Sequence, residues 1–190
     1  ISIRNIDNKY YVDEVITPVE FEDRFNLSNV TWDDIFISII RNKNLSNKIK
    51  RALLDLGHTL MCSGEIINLG ILKYNIDRLS VEFNSRKLDR NSCSEFLFMD
   101  SKVYLRYRYI FNQFELKRVL AHEVFGHGST VAFFNRTLCT TLVTKKSCQN
   151  EYGIKFELGT SFNEAYAAML ENHSIDTGIN IHTLLDRIYD

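Results

Sequence analysis

Apolar residues recur along this chain with two different periods. Thr31 is followed by Asp33 and Asp34 and then by Ile35, Ile39 and Ile40. That stripe predicts a helix capped by Thr31, with acids in its first turn, running to about Arg41. The run LSNKIKRALLDLG predicts a second helix, with Ile49, Leu53, Leu54 and Leu56 on one face and Gly57 to close it. Upstream, KYYVDEVITPVEFED holds only a short strand before Pro18, which cannot donate to a ladder. Between residues 65 and 109 the period shortens. EIINLGILKYNI, LSVEFNS, EFLFMDS and KVYLRYRYI are short and rich in β-branched and aromatic residues, and they read as strands. In the last of them Val103, Leu105, Tyr107 and Tyr109 alternate with Lys102, Tyr104, Arg106 and Arg108, the mark of a half-buried strand. A helix then begins at about Gln113, with Leu116, Val119, Leu120 and Val124 at helical spacing. A hairpin-like stretch follows, TLCTTLVTKKSCQNEYGIKFELGT, and then a helix from Ser161 to about Ile175. Thr160 or Ser161 stands where it would cap that helix, Glu164 falls in its first turn, and Gly178 lies past its end. A short amphipathic segment, Ile181 to Tyr189, completes the chain. The order of elements predicts an α+β fold in one compact unit. Residues 1–60 form an N-terminal segment with two helices, and residues 61–190 carry the sheet and two further helices.

Composition narrows the function classes. A formal net charge of -1 over 190 residues gives no electrostatic bias toward nucleic acid or an anionic membrane. No run of about 18 apolar residues predicts a membrane-spanning helix. Cys62, Cys93, Cys139 and Cys148 form no C-x-x-C pair and read as free thiols. A single proline and eight glycines argue against a long disordered linker. No signal-peptide pattern is visible, and the start at Ile1 reads as a trimmed or mature fragment.

The chemistry is concentrated in LAHEVFGHGST, Leu120 to Thr130. Two histidines four apart on an α-helix are separated by a net rotation of about 40° and share a face. His122 and His127 are five apart, about 140°, and a regular α-helix would splay them. One metal ion can take both only if the helix absorbs the extra residue as a π-bulge or ends before His127. Gly126 and Gly128 flank the second histidine and supply conformational freedom where the spacing needs it. A catalytic zinc ion takes three protein ligands. SFNEAYAAMLENHS offers Glu164, Glu171 and His173 for the third. Glu164 is favoured, because Ala165, Ala167 and Ala168 allow its helix to pack closely against another. Glu171, two turns on along the same side, suits the role of a partner that orients a ligand histidine. His173 is the alternative ligand. His58 reads as structural at a helix end, and His182 as a surface residue.

HEVFGH followed by NEAYA resembles the gluzincin branch of the zincin metallopeptidases. There the motif histidines and a downstream helical glutamate bind zinc. The one-residue expansion is similar to the H-E-x-x-x-H motif of the microtubule-associated tyrosine carboxypeptidases. L-A-H-E-x-x-G-H-G with a later E-N-x-x-x-x-x-G (Glu171, Asn172, Gly178) resembles bacterial metallopeptidase domains of secreted effectors and polymorphic toxins. The resemblance covers about residues 95–178. It implies a zincin-like fold, a small sheet packed against an active-site helix and a second ligand-bearing helix. It also implies a Zn2+ ion on His122, His127 and Glu164, and hydrolysis of a protein or peptide substrate. Glu123 would take a proton from water and pass it to the leaving amine. Tyr166 or Tyr152 would stabilise the oxyanion. A protein of this kind would be secreted or delivered into a target cell. Two other readings stand beside it. One is a catalytically inactive relative acting as a binding or structural module. The other is a carboxylate-rich di-metal site using Glu123, His127, Glu164 and His173.

Overall fold

Each of the first four helices begins at a side chain that caps it. Thr17, Thr31, Ser46 and Asn68 accept from the amide three residues on, which satisfies one of the orphan donors of each N-terminus. The helices are α1 (Pro18–Phe25), α2 (Trp32–Arg41), α3 (Asn47–Ser63) and α4 (Leu69–Arg78). The computed structural model describes residues 12–88, 90, 92–141, 147–150, 153–156 and 160–174. Of 147–150, 153–156, 160–163, 173 and 174 it describes the backbone alone. Tyr152, residues 157–159, Gly178, His182 and the segment 181–189 lie outside the described part.

The expected strand before Pro18 is present as β1 (Glu14–Ile16). A helix that the pattern does not announce follows it, because Pro18 stands at the first helical position, where its missing N–H costs nothing. α2 follows its predicted course, but Ile35, Ser38 and Ile39 face inward while Ile40 is 57% exposed. Gly57 does not close α3. The helix runs on to Ser63 and stops at Gly64, whose φ of 71° is the left-handed conformation glycine adopts freely. Gly57 lies inside the helix, where an added Cβ would sit 2.8 Å from the Phe36 ring. The run EIINLGILKYNI is not a strand but contains α4. Ile71, Leu72, Tyr74, Asn75 and Ile76 are all buried, so the helix is enclosed nearly all round and its apolar positions show no single-face period.

Two three-stranded sheets follow. β2 (Ser80–Phe83), β3 (Ser94–Leu97) and β4 (Lys102–Leu105) lie in the order β2-β4-β3, with β4 parallel to β2 and antiparallel to β3. β4 stops at Leu105 and a 3-10 turn, Tyr107–Ile110, replaces the rest of the expected strand. Val103, Leu105 and Tyr109 are still buried, but Tyr107 turns outward. Helix α5 (Gln113–Leu120) follows. β5 (Val131–Phe134) and β6 (Thr137–Thr140) then form a hairpin whose turn residues, Asn135 and Arg136, both have positive φ. β1 adds to it in parallel, giving the order β1-β6-β5. β7 (Ser147–Asn150) and β8 (Gly153–Phe156) make a separate antiparallel pair, and α6 (Thr160–Ser174) completes the described chain.

The architecture is α+β. One core joins Ile39, Leu53, Leu72, Val103, Leu120 and Leu170. It spans both sides of residue 60, and the division drawn there falls inside α3. No helix among the described residues is long and apolar enough to cross a membrane. Cys62, Cys93 and Cys139 are free thiols.

Candidate metal centre

α5 runs without interruption into a π-helical turn, Ala121–Gly126, and then into a tight 3-10 turn, His127–Ser129. The backbone N–H of His127 donates to both His122 and Glu123 carbonyls, so the turn is widened by one residue. That widening brings histidines five apart onto one side. Their Nε2 atoms are 3.1 Å apart and their rings cross at 80°. The inserted length is also used in the core. Phe125 is fully buried beside Trp32, with ring centroids 6.3 Å apart.

The two glycines have different reasons from the one the spacing suggests. Gly126 has a φ of -72°, which any residue can adopt. It is needed for closeness. An added Cβ would lie 2.6 Å from the Ala167 Cβ and 2.7 Å from the Ala167 Cα. α6 therefore packs against the π turn through Gly126 and Ala167. At Gly128 the nearest atoms to an added Cβ are 3.6 Å or more away, and there is room.

This close seam delivers Glu164. Its Oε2 is 3.2 Å from His122 Nε2 and its Oε1 is 3.4 Å from His127 Nε2. Donors held about 2.0–2.2 Å from one tetrahedral zinc ion lie about 3.3–3.6 Å from each other. The two imidazole nitrogens lie 3.1 Å apart and each faces a different oxygen of the Glu164 carboxylate, and two imidazole nitrogens with one carboxylate are a donor set zinc accepts. The residues present fit the ion.

Behind the cluster, Glu171 Oε2 is 3.3 Å from His122 Nδ1, and Arg118 donates to Glu171 Oε1 from Nε at 2.8 Å. A proton on Nδ1 given to Glu171 leaves the Nε2 lone pair pointing at the cluster. Burial alone would lower the His122 pKa. The hydrogen bond to Glu171 and the charges of Glu123, Glu164 and Glu171 outweigh it and hold the imidazole above its ordinary value. Burial would likewise raise Glu171, but His122 and Arg118 bring its carboxyl below the usual range. Glu171, read from the sequence as lying near a candidate ligand histidine, stands beside His122.

Glu123 is 4% exposed and accepts a hydrogen bond from the Ser94 hydroxyl. Burial raises its pKa, against the lowering influence of His127, Ser94 and His122. It opens with His122, His127 and Glu164 onto a cleft of about 450 Å³, which Ser94 and Phe96 of β3 also line. Ser94→Ala removes one hydrogen bond to a buried carboxyl. The expected cost is about 1.5–3 kcal/mol of stability, read in a denaturant titration, and an unchanged midpoint would show that Glu123 does not depend on Ser94.

Tyr166 does not belong to this cleft. It follows Glu164 by two residues, about 200° around the helix, and its hydroxyl donates to the Ile66 carbonyl at 3.0 Å. It lines a second hollow with Ile66, Ser129 and Met169. The expectation that Tyr166 stabilises an oxyanion is corrected on this geometry, and no described tyrosine lines the metal-side cleft. Tyr152 and the His173 side chain fall outside the described residues. His58 is not at a helix end but on the exposed face of α3, 3.9 Å from Cys62 Sγ. Sequence reasoning missed Ser94 and Arg118. Arg118 had a signal, since it precedes His122 by four residues on the same helix. Ser94 had none, because its strand is distant in sequence. Compared with known proteins, the chain matches no family model, no curated protein and no solved structure.

Proposed function

We propose that this chain is a zinc-dependent metallopeptidase of the gluzincin type, with a zincin-like arrangement of sheet, histidine-bearing helix and glutamate-bearing helix. The observation that carries the reading is the convergence of His122, His127 and Glu164 across a π turn, with Glu123 beside them in a cleft. His122, His127 and Glu164 hold the ion. Bound zinc supplies Lewis-acid polarisation of a scissile carbonyl and water activation near neutral pH.

The chain's own residues do the rest. Glu123 accepts the proton of the attacking water and returns it to the leaving amine, and burial raises its carboxyl above the usual range, which makes it a stronger base. Ser94 holds one oxygen of Glu123, leaving the other for the proton. Glu171 fixes the His122 ring. β3 is the edge of its sheet among the described strands and lines the cleft, so an extended peptide laid along it would pass the cluster.

Metal analysis tests the reading. Wild type dialysed against trace zinc is expected to retain about one ion per chain and His122→Ala to retain little, since two ligands rarely make a stable site. Wild type that holds no zinc, and whose melting does not change when zinc is added, would remove the proposal.

A further inference from the structure

The two oxygens of Glu171 have separate partners. Oε1 takes Arg118 Nε at 2.8 Å and Arg118 Nη2 at 2.6 Å, while Oε2 faces His122 Nδ1 at 3.3 Å. The guanidinium is held from its other end by Glu115 Oε1, 3.4 Å from Nη1. The Glu171 side chain is only 17% exposed, so it has little water to reorient into. Arg118 thus occupies one oxygen with a planar fork of two N–H groups and leaves the other to the imidazole. A lysine, with a single rotatable ammonium, does not enforce that division.

The same pair is also a bridge between helices. Arg118 is on α5, which leads into the π turn of the histidines. Glu171 is on α6, which carries Glu164 seven residues earlier. The Gly126–Ala167 contact sets how close the two elements lie. Arg118 to Glu171 ties them at a second point and limits sliding or rotation of α6 along the seam.

We infer that Arg118 is a positioning residue for the metal centre. It acts through Glu171 to keep the His122 proton on Nδ1 and to hold α6 in the register that sets Glu164 opposite the histidines. The inference deepens the metallopeptidase reading and rests on it for metal binding, but the ring's tautomer can be measured in metal-free protein.

The experiment compares wild type with Arg118→Met, Arg118→Lys, Glu171→Met and the double Arg118→Met/Glu171→Met. Zinc affinity is read by competition with a chromophoric chelator, and the His122 tautomer by nitrogen–proton correlation NMR of the metal-free protein in alkaline buffer. Arg118→Met is expected to weaken zinc binding by about 10- to 100-fold and to convert a single Nδ1–H tautomer into a mixture. Arg118→Lys should lie between it and wild type, and it carries the test if the methionine variant does not fold. The double variant should bind no more weakly than Glu171→Met alone, because Arg118 acts through that carboxylate. Losses that add in full across the pair, or a tautomer untouched by either Arg118 substitution, overturn the inference. If wild type binds no zinc, the metallopeptidase reading fails, and the tautomer measurement still decides the role of Arg118.

Discussion

Glu123→Gln is expected to keep the fold and the zinc and to lose about 10²–10⁴-fold in peptide hydrolysis. The change is nearly isosteric. Glutamine retains an oxygen that can accept from the Ser94 hydroxyl, so the one hydrogen bond described for this side chain survives. Glu123 is not among the three converging donors, and metal content should therefore stay at the wild-type level. Lost is the only carboxylate among the described residues that is both buried and beside the cluster, and with it the acceptor for a proton from water. A neutral amide is also less costly to bury than a carboxylate, so the melting temperature should hold or rise. Zinc-loaded Glu123→Gln that turns over peptide at close to the wild-type rate would remove Glu123 from the mechanism. Loss of zinc along with activity would instead mark it as a ligand.

Gly126→Ala is expected to damage stability and metal binding together. The new methyl would meet Ala167 at 2.6 Å from its Cβ and 2.7 Å from its Cα. The second of these is a backbone atom, so no rotamer change relieves the clash and α6 itself must move. Overpacking of this kind costs about 1–3 kcal/mol, and each kcal/mol lowers the melting temperature of a chain this size by about 2–4 °C. α6 carries both Glu164 and Glu171, so its displacement also pulls a carboxylate from the two imidazoles and a partner from His122. Gly128→Ala is the control. Its added Cβ meets nothing nearer than the Glu123 carbonyl at 3.6 Å, and melting and zinc content should be close to wild type. A Gly126→Ala protein that melts and binds zinc as wild type does would show that the seam between the π turn and α6 is loose.

Much of the candidate site was legible because its rules are local. The rotation between residues five apart is fixed by helix geometry, so His122 and His127 demand either a widened turn or an early helix end, and the chain uses a π turn followed by a 3-10 turn. The seven-residue spacing of Glu164 and Glu171 puts them two turns apart on one side of any helix. It predicts that if one faces the imidazoles the other lies near them too. The cap at Thr31 depends on a side chain that reaches only three residues along the backbone.

What periodicity cannot state is what a face meets. α4 is enclosed by its neighbours, and enclosure removes the one-sided pattern that distinguishes a helix from a short apolar strand. Tyr166 stands two residues from Glu164, but α6 has a single rotation against the π turn, and the rotation that aims Glu164 at the histidines aims Tyr166 at Ile66. Gly126 reads in the sequence as a source of flexibility. Only the approach of Ala167 shows that the missing side chain makes room for another helix. Ser94 reaches Glu123 from a strand 29 residues away, and Arg118 reaches Glu171 across 53. The sequence alone determined which residues share a helical face and that the histidine helix must widen or stop. Tertiary packing decided which of those faces meet, because the distances between elements are set by the side chains of both partners at once.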